Sequence, residues 1–328
     1  MTKTILAKLD APSLFEGLDA EPAPNVIEYL DPEAEQMNLF DLGILRGDGI
    51  FEATHVWHGV PLAVRLHMLR LRDSAALTDL PVPKVDAWEM AVREVVEHYM
   101  EVAGDSDREG FVKILVSRGP DGSTTPGRAR TPGIPSVWIY IDEQLVDPNG
   151  GRESLRVLTL PKEVSADAAQ TAPWMLYGAK TLSYAMNMAV YREVARRGAD
   201  NAVFYSTEGL VLEGPTSSVV WRAGDEFRTA SPDMGILHGT SQQEFYAYLN
   251  HEGLSGEYGR FPIEDLRAAD QAWIMGGSTL HPVESIDGRD VHTDLEFTRA
   301  ANLFLRTQRE YVESYSLAEY ARIHGRAA

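Results

Sequence analysis

The sequence predicts an α+β protein of two domains, and three observations carry the prediction. The chain has 328 residues, against roughly 150 for an ordinary domain. Its first half alternates period-2 apolar stretches with two amphipathic helical stretches. One composition break, Val146-Asp147-Pro148-Asn149-Gly150-Gly151, divides that half from the rest. The expected division is a small α+β domain over 1–146, a linker over 147–151 and a larger domain over 152–328.

Residues 1 to about 38 are rich in Pro, Ala, Asp and Glu, and read as a loose lead-in with one short strand near Val26–Tyr29. GIFEATHVWHGVPLAV alternates apolar and polar positions on either side of His58-Gly59, the pattern of a β-hairpin. RLHMLRLRDSAALTDL carries Leu66, Leu69, Leu71 and Leu77 among charged residues, the pattern of a helix. A second helix is expected from about Val85 to Val102, with Asp86 in its first turn and Gly104 at its end. Strands at Phe111–Ser117 and Ser136–Ile141 flank a loop, Gly119–Pro135, that holds eight Gly or Pro.

Beyond the break, a strand is expected at Leu155–Leu160 and a long helix at Leu182–Arg197, where Leu182, Met186, Val190 and Val194 form one i, i+4 row. Four strands follow at Asn201–Ser206, Leu210–Glu213, Ser218–Trp221 and Phe227–Thr229. Helices at Thr240–Glu252 and Ile263–Ala268 flank a strand at Gln271–Met275, and Leu295–Glu313 reads as a terminal helix.

Composition narrows the function. A net charge of −19, spread along the chain, disfavours nucleic acid and anionic membrane as partners. No cysteine is present, which removes disulfides, thiolate catalysis and cysteine-ligated zinc. The histidines form no HExxH or other ligand spacing, so no metal site is expected. No apolar run approaches 18 residues and no signal peptide opens the chain, the pattern of a cytoplasmic protein. Of 30 basic residues only six are lysines, the last being Lys180. Schiff-base chemistry with a carbonyl therefore has few candidates.

Five features carry candidate chemistry. Lys180, in YGAKTLSYAMN, stands at a loop-to-helix junction, where an amine is either turned into a cleft or simply exposed. Glu213 follows the apolar Leu210-Val211-Leu212 and is either the partner of a protonated ring nitrogen or an exposed turn glutamate. Gly239-Thr240-Ser241 opens a helix and Gly276-Gly277-Ser278-Thr279 ends a strand. Each is an anion cradle or an ordinary cap and turn. Arg70, in His67-Met68-Leu69-Arg70, offers a fixed charge for a phosphate or to solvent.

In this order the pieces resemble the fold-type IV, or class IV, pyridoxal-phosphate enzymes, which include branched-chain and D-amino-acid aminotransferases, (R)-selective amine transaminases and aminodeoxychorismate lyase. The resemblance runs from Leu42 to Gly288. LRGDGIFEATHVWHG is similar to the family's opening hairpin, RLHMLRLRDSA to its H-x-x-R-L helix and AKTLSYAMNMAVYREVARRGADNAVF to the segment around its Schiff-base lysine. LVLEGPTSSVVW, GILHGTSQ and GGSTLHPV are similar to its remaining cofactor motifs.

The resemblance implies a small α+β N-terminal domain, a larger pseudo-barrel C-terminal domain that binds pyridoxal 5'-phosphate, and a homodimer. It implies that Lys180 forms the Schiff base and moves the substrate proton, and that Glu213 holds the ring nitrogen. Arg70, Thr240, Ser241, Ser278 and Thr279 hold the phosphate, with Thr216 and Ser217 beside the cofactor and Tyr184 near its phenolic oxygen. Phe51, Arg118 and Arg128 are the implied substrate residues, Arg128 with Arg130 in the segment where members place a gating loop.

EGPTSSV with KTLSY is most similar to sequences assigned as aminodeoxychorismate lyase. The leading expectation is thus release of pyruvate and 4-aminobenzoate, a step of folate biosynthesis. The alternative is a class IV aminotransferase, acting on D-amino acids, branched-chain amino acids or (R)-amines. Phe51-Glu52 resembles the aminotransferase hairpin, and the motifs depart from the aminotransferases at Ser218 and in HGTSQ. A third reading is a non-catalytic binder of a phosphorylated ligand, which gives Lys180 no task.

Overall fold

The computed structural model describes residues 4–34, 37–104, 109–120, 134–143 and 153–307. The expected linker over 147–151, Arg128, Arg130 and most of the Gly/Pro-rich loop lie outside the described residues. Contacts divide the chain into two units near residue 145, and Ala179–Tyr184 belongs to the first of them.

The first unit runs through β1 (Ile5–Leu9), α1 (Ala11–Leu14), β2 (Ile27–Leu30), α2 (Leu42–Arg46), β3 (Gly49–Trp57), β4 (Val60–Pro61), α3 (Val64–Leu77), α4 (Val85–Ala103), β5 (Gly110–Ser117) and β6 (Ser136–Asp142). Its six strands form one antiparallel sheet in the order β2-β1-β6-β5-β3-β4. The hairpin turns where the sequence places it. His58 and Gly59 both take positive φ, which matches the twist of the two strands.

β1 is a strand the lead-in conceals, since only Ala7 and Leu9 within it are buried. Helix α4 has no side-chain N-cap, so its apolar stripe holds it. Trp88, Val92, Val95 and Tyr99 are fully buried in the core with the inward residues of β3, β5 and β6. Each such side chain contributes about 1.5–3 kcal/mol.

Ile50, Glu52, Thr54 and Val56 point from β3 into that core. The opposite phase carries Phe51, which pairs with Leu115, which in turn pairs with Trp138. One step along, Ala53 pairs with Lys113 and Lys113 with Tyr140. Phe51, Leu115, Trp138, Lys113 and Tyr140 therefore share the sheet face turned away from the core.

The expected helix from Leu182 begins at Ala185, for a physical reason. Phe51 N–H donates to the Lys180 carbonyl at 2.9 Å and Leu182 N–H donates to the Gly49 carbonyl at 2.9 Å. Lys180–Leu182 is thus an extended piece on the edge of β3, and its backbone groups are spent on the sheet instead of a helical turn. Gly49 makes that approach possible. A Cβ there would meet the Val116 carbonyl oxygen and stand 2.7 Å from Leu182 Cδ1.

The second unit holds β7 (Leu155–Pro161), α5 (Ala168–Thr171), α6 (Ala185–Arg196), β8 (Asn201–Tyr205), β9 (Ser218–Ala223), β10 (Glu226–Ala230), α7 (Thr240–His251), β11 (Ser255–Gly259), α8 (Ile263–Arg267), β12 (Gln271–Gly276), β13 (Thr279–Ile286), β14 (Arg289–Asp290) and α9 (Leu295–Thr307). The strand order is β11-β10-β9-β12-β13-β7-β8, with β14 beside β13. The β13-β7, β7-β8 and β10-β11 pairs are parallel.

The expected strand Leu210–Glu213 is instead a run of single bridges, Tyr205 to Val211 and Leu210 to Pro262. Pro262 has no N–H to extend a ladder. These bridges link β8 to the segment after β11, the two ends of the strand order, so the sheet curls into the expected pseudo-barrel. The expected terminal helix is described as α9, to Thr307.

Candidate active site

In the first unit, Lys180 Nζ lies over the Phe51 ring, 4.4 Å from its centroid, and 5.8 Å from that of Tyr184. Phe51 and Tyr184 meet edge to face at 5.0 Å. The Lys180 N–H donates to Ser74 Oγ on α3 at 3.1 Å. The structure thus brings together three expected site residues, Lys180, Phe51 and Tyr184, around one aromatic ring.

A second amine shares that ring. Lys113 Nζ is 5.3 Å from the Phe51 centroid, and burial pushes its pKa below the usual lysine range. Among the described residues it has no carboxylate partner. A cavity of about 220 Å³ lies beside Leu115 and Leu182, with Ile44, Ser117 and Trp138 in its wall.

Arg70 is buried, as are Glu52 and His67. Arg70 Nε donates to Glu52 Oε1 at 2.8 Å and Arg70 Nη2 to Glu52 Oε2 at 2.7 Å. His67 Nδ1 lies 2.7 Å from Glu52 Oε2. Burial alone raises the Glu52 pKa, but the Arg70 charge and the hydrogen bonds outweigh it and hold the carboxyl at about 2. Burial likewise pushes His67 below the usual imidazole range, against the pull of Glu52. The ring is therefore neutral near pH 7, and the proton it donates to the carboxylate sits on Nδ1.

Arg118, an expected substrate residue, has other occupations. Its Nε donates to Asp48 Oδ2 at 2.8 Å and its Nη1 to the Asp79 carbonyl at 3.0 Å, which fixes the turn before β3.

In the second unit both oxygens of Glu213 are engaged. Lys162 Nζ lies 3.3 Å from Oε1, and Leu237 N–H donates to Oε2 at 3.0 Å. Helix α6 braces the loop that follows. Asn187 Nδ2 donates to the Pro215 carbonyl, and the Tyr191 hydroxyl lies 2.6 Å from Thr216 Oγ1.

The two Gly/Ser/Thr segments meet, for Ser278 N–H donates to Ser241 Oγ at 2.8 Å. Ser278 takes a left-handed φ of 53° and its Oγ donates to Glu244 at 3.2 Å. Thr279 Oγ1 turns back to the Gly277 carbonyl. Helix α7 begins at Thr240 without a side-chain cap, and Thr240 and Ser241 are buried. Beside them Gly276 approaches the Thr216 carbonyl, and Ser217 Oγ is buried without a hydrogen-bond partner among the described residues.

Two groups here escaped the sequence reading, Lys113 and Lys162, and so did the pairing of Glu52 with Arg70. Glu52 is the one acidic residue in the core-facing phase of β3, a signal that period-2 counting contains. The two lysines stood among only six, yet nothing in their own surroundings marked them.

This fold and these groups define a class IV aminotransferase. Residues 49–286 match the family model described as Amino-transferase class IV, and the chain belongs to that family. It is 34% identical over 271 residues to the bifunctional aminodeoxychorismate lyase / D-amino acid transaminase of Mycobacterium tuberculosis (strain ATCC 25618 / H37Rv), covering 80% of this chain and 90% of that one. Among solved structures it is similar to the fold IV-transaminase CpuTA1 from Curtobacterium pusillum, with a TM-score of 0.84 and 38% identity over 93% of this chain and 99% of that one. It is also similar to the PLP-bound form of a hypothetical aminotransferase from Mycobacterium tuberculosis, with a TM-score of 0.79 and 29% identity over 93% and 99%.

The chain is therefore a pyridoxal-phosphate enzyme, a lyase or a transaminase, and the reading as a non-catalytic binder falls. Its residues fit the cofactor: a buried Ser217 hydroxyl without a partner among the described residues, a helix start with no side-chain cap and a carboxylate with both oxygens engaged. Among the described residues no helix is long and apolar enough to cross a membrane.

Proposed function

We propose that the chain is an aminodeoxychorismate lyase, releasing pyruvate and 4-aminobenzoate from an amine substrate that carries carboxylates. The observation that supports this most is Lys113, a partly buried cation on the same Phe51 ring as Lys180, with no carboxylate partner among the described residues. A cation without a carboxylate partner suits a substrate that brings its own. The (R)-amine reading, whose substrates bring none, is the weaker for it.

Bound pyridoxal phosphate supplies an electron sink for the substrate's amine-bearing carbon. Lys180 would hold the cofactor, and its amine would take the proton from that carbon and return it. Glu213 would hold the ring nitrogen. Thr240, Ser241, Ser217 and Ser278 or Thr279 would hold the phosphate, Thr216 would contact the cofactor, and Arg70 would supply a fixed charge for it. The Phe51 and Tyr184 rings lie beside the Lys180 amine.

D-amino-acid transamination shares the first half of this chemistry, and a relative named for both activities supports it as the second reading. A lyase releases pyruvate from aminodeoxychorismate with no acceptor present, whereas a transaminase consumes pyruvate as acceptor. Purified enzyme supplied with aminodeoxychorismate alone, coupled to lactate dehydrogenase, separates the two. No pyruvate under those conditions overturns the lyase.

We also propose a homodimer in the cytoplasm. Helix α6 buries only Val194, and the same unit exposes Met186 at 54% and Trp174 at 73%. Apolar surface of that kind suits a second copy. Sedimentation at micromolar concentration should give twice the chain mass.

A further inference from the structure

The Lys162–Glu213 pair has a use beyond holding the fold. β7 ends at Pro161, and the Lys162 N–H that follows donates to the Tyr205 carbonyl on β8 at 3.0 Å. On the other side of β8, Phe204 N–H donates to the Glu213 carbonyl and Leu212 N–H to the Phe204 carbonyl, both at 2.8 Å. Lys162 and Glu213 are thus hung from neighbouring residues of one strand, and their side chains meet at 3.3 Å.

The ammonium is held in its turn. It lies 5.4 Å from the Tyr177 centroid and 5.7 Å from that of Phe204, with the lysine side chain only 10% exposed. With Leu237 N–H on the second oxygen, the carboxylate has its plane set from both ends. One lone pair on each oxygen remains for a further donor.

We infer that Lys162 is a positioning residue for Glu213, fixing the carboxylate in the orientation that receives the cofactor's ring nitrogen. This rests on the reading of Glu213 as the ring partner. The Leu237 N–H alone leaves the carboxylate free to swing about its remaining torsions. A pair of charges on rigid strands removes that freedom before the cofactor arrives.

The test uses full-length enzyme loaded with pyridoxal phosphate labelled with 15N in the ring. Lys162→Met should release cofactor at least tenfold more readily on dialysis, shift the ring 15N signal and lower kcat more than it raises KM. Lys162→Arg should restore all three, because it keeps a cation at that place. A Lys162→Met protein with unchanged melting temperature that retains cofactor as tightly as wild type, with the same 15N signal, overturns the inference. If Lys162→Met does not fold, Lys162→Arg decides: retention and 15N signal like wild type support the inference, and loss of both overturns it. Wild type that shows no 15N difference from a Glu213→Gln variant overturns the Glu213 reading itself, and the inference with it.

Discussion

Glu52 and Arg70 form a two-point contact inside the core of the first unit, at 2.8 and 2.7 Å, with Glu52 fully buried and Arg70 6% exposed. Removing one member of such a pair leaves the other charged and unpaired. Glu52→Gln should therefore cost about 3–5 kcal/mol in urea unfolding at pH 7.

The same pair fixes an acid limit. The Glu52 carboxyl lies at about 2 in the folded chain against 4.5 for an ordinary glutamate. Its contribution is complete above 4.5, where both states are ionised, and disappears as pH falls from 4.5 through 2. Urea midpoints of wild type should drop through that window. Those of Glu52→Gln should drop less.

Lys180→Ala should leave the fold intact, since the residue's bonds to β3 and Ser74 are made by its backbone. The variant should lose the borohydride-fixable link to the cofactor. Its kcat should fall by about 10²–10⁴ from loss of the proton carrier alone. Mass spectrometry of the reduced protein checks the first outcome and steady-state rates the second.

Lys113→Met should raise KM for carboxylate-bearing substrates by about tenfold, the worth of one charge-assisted contact, and leave a carboxylate-free arylalkylamine unaffected. Because burial lowers the Lys113 amine from 10.5, its charge is lost earlier as pH rises. KM for anionic substrates should climb on the alkaline side in wild type and stay flat in the variant.

Gly49→Ala tests the docking of the lysine segment. The added methyl meets the Val116 carbonyl and Leu182 Cδ1, an overpacking that should cost about 1–3 kcal/mol. Cofactor occupancy, read by absorbance, should fall with it.

Much of this architecture was legible in the residues. The hairpin at His58-Gly59, the two helices after it and most strands of the second unit follow from period and punctuation, which are local. What escaped is long-range. Leu182 continues a helical row with Met186 and Val190, yet β3, more than 120 residues earlier, claims its N–H. Leu210–Glu213 reads as a strand, but its partners come from Tyr205 and Pro262, and a proline ends the ladder. In the candidate site, Lys180 is marked in the sequence by its motif and by its place before a helix. Arg70 was found without Glu52, because no spacing in a sequence announces that a strand residue and a helix residue will share a proton donor and a charge.

The attachment of Lys180–Leu182 to the edge of β3 also bears on which motions reach the amine. Opening of a peripheral loop leaves it in place, since its flanking peptides are bonded to β3 in the first unit's β3-β4 hairpin. The Phe51 and Leu182 amides should exchange with solvent deuterium at the rate of that hairpin's cooperative opening, among the slowest in the chain. The reactive nitrogen then moves by rotation of its own four methylenes, on the nanosecond scale, while its anchor waits for an event as rare as unfolding.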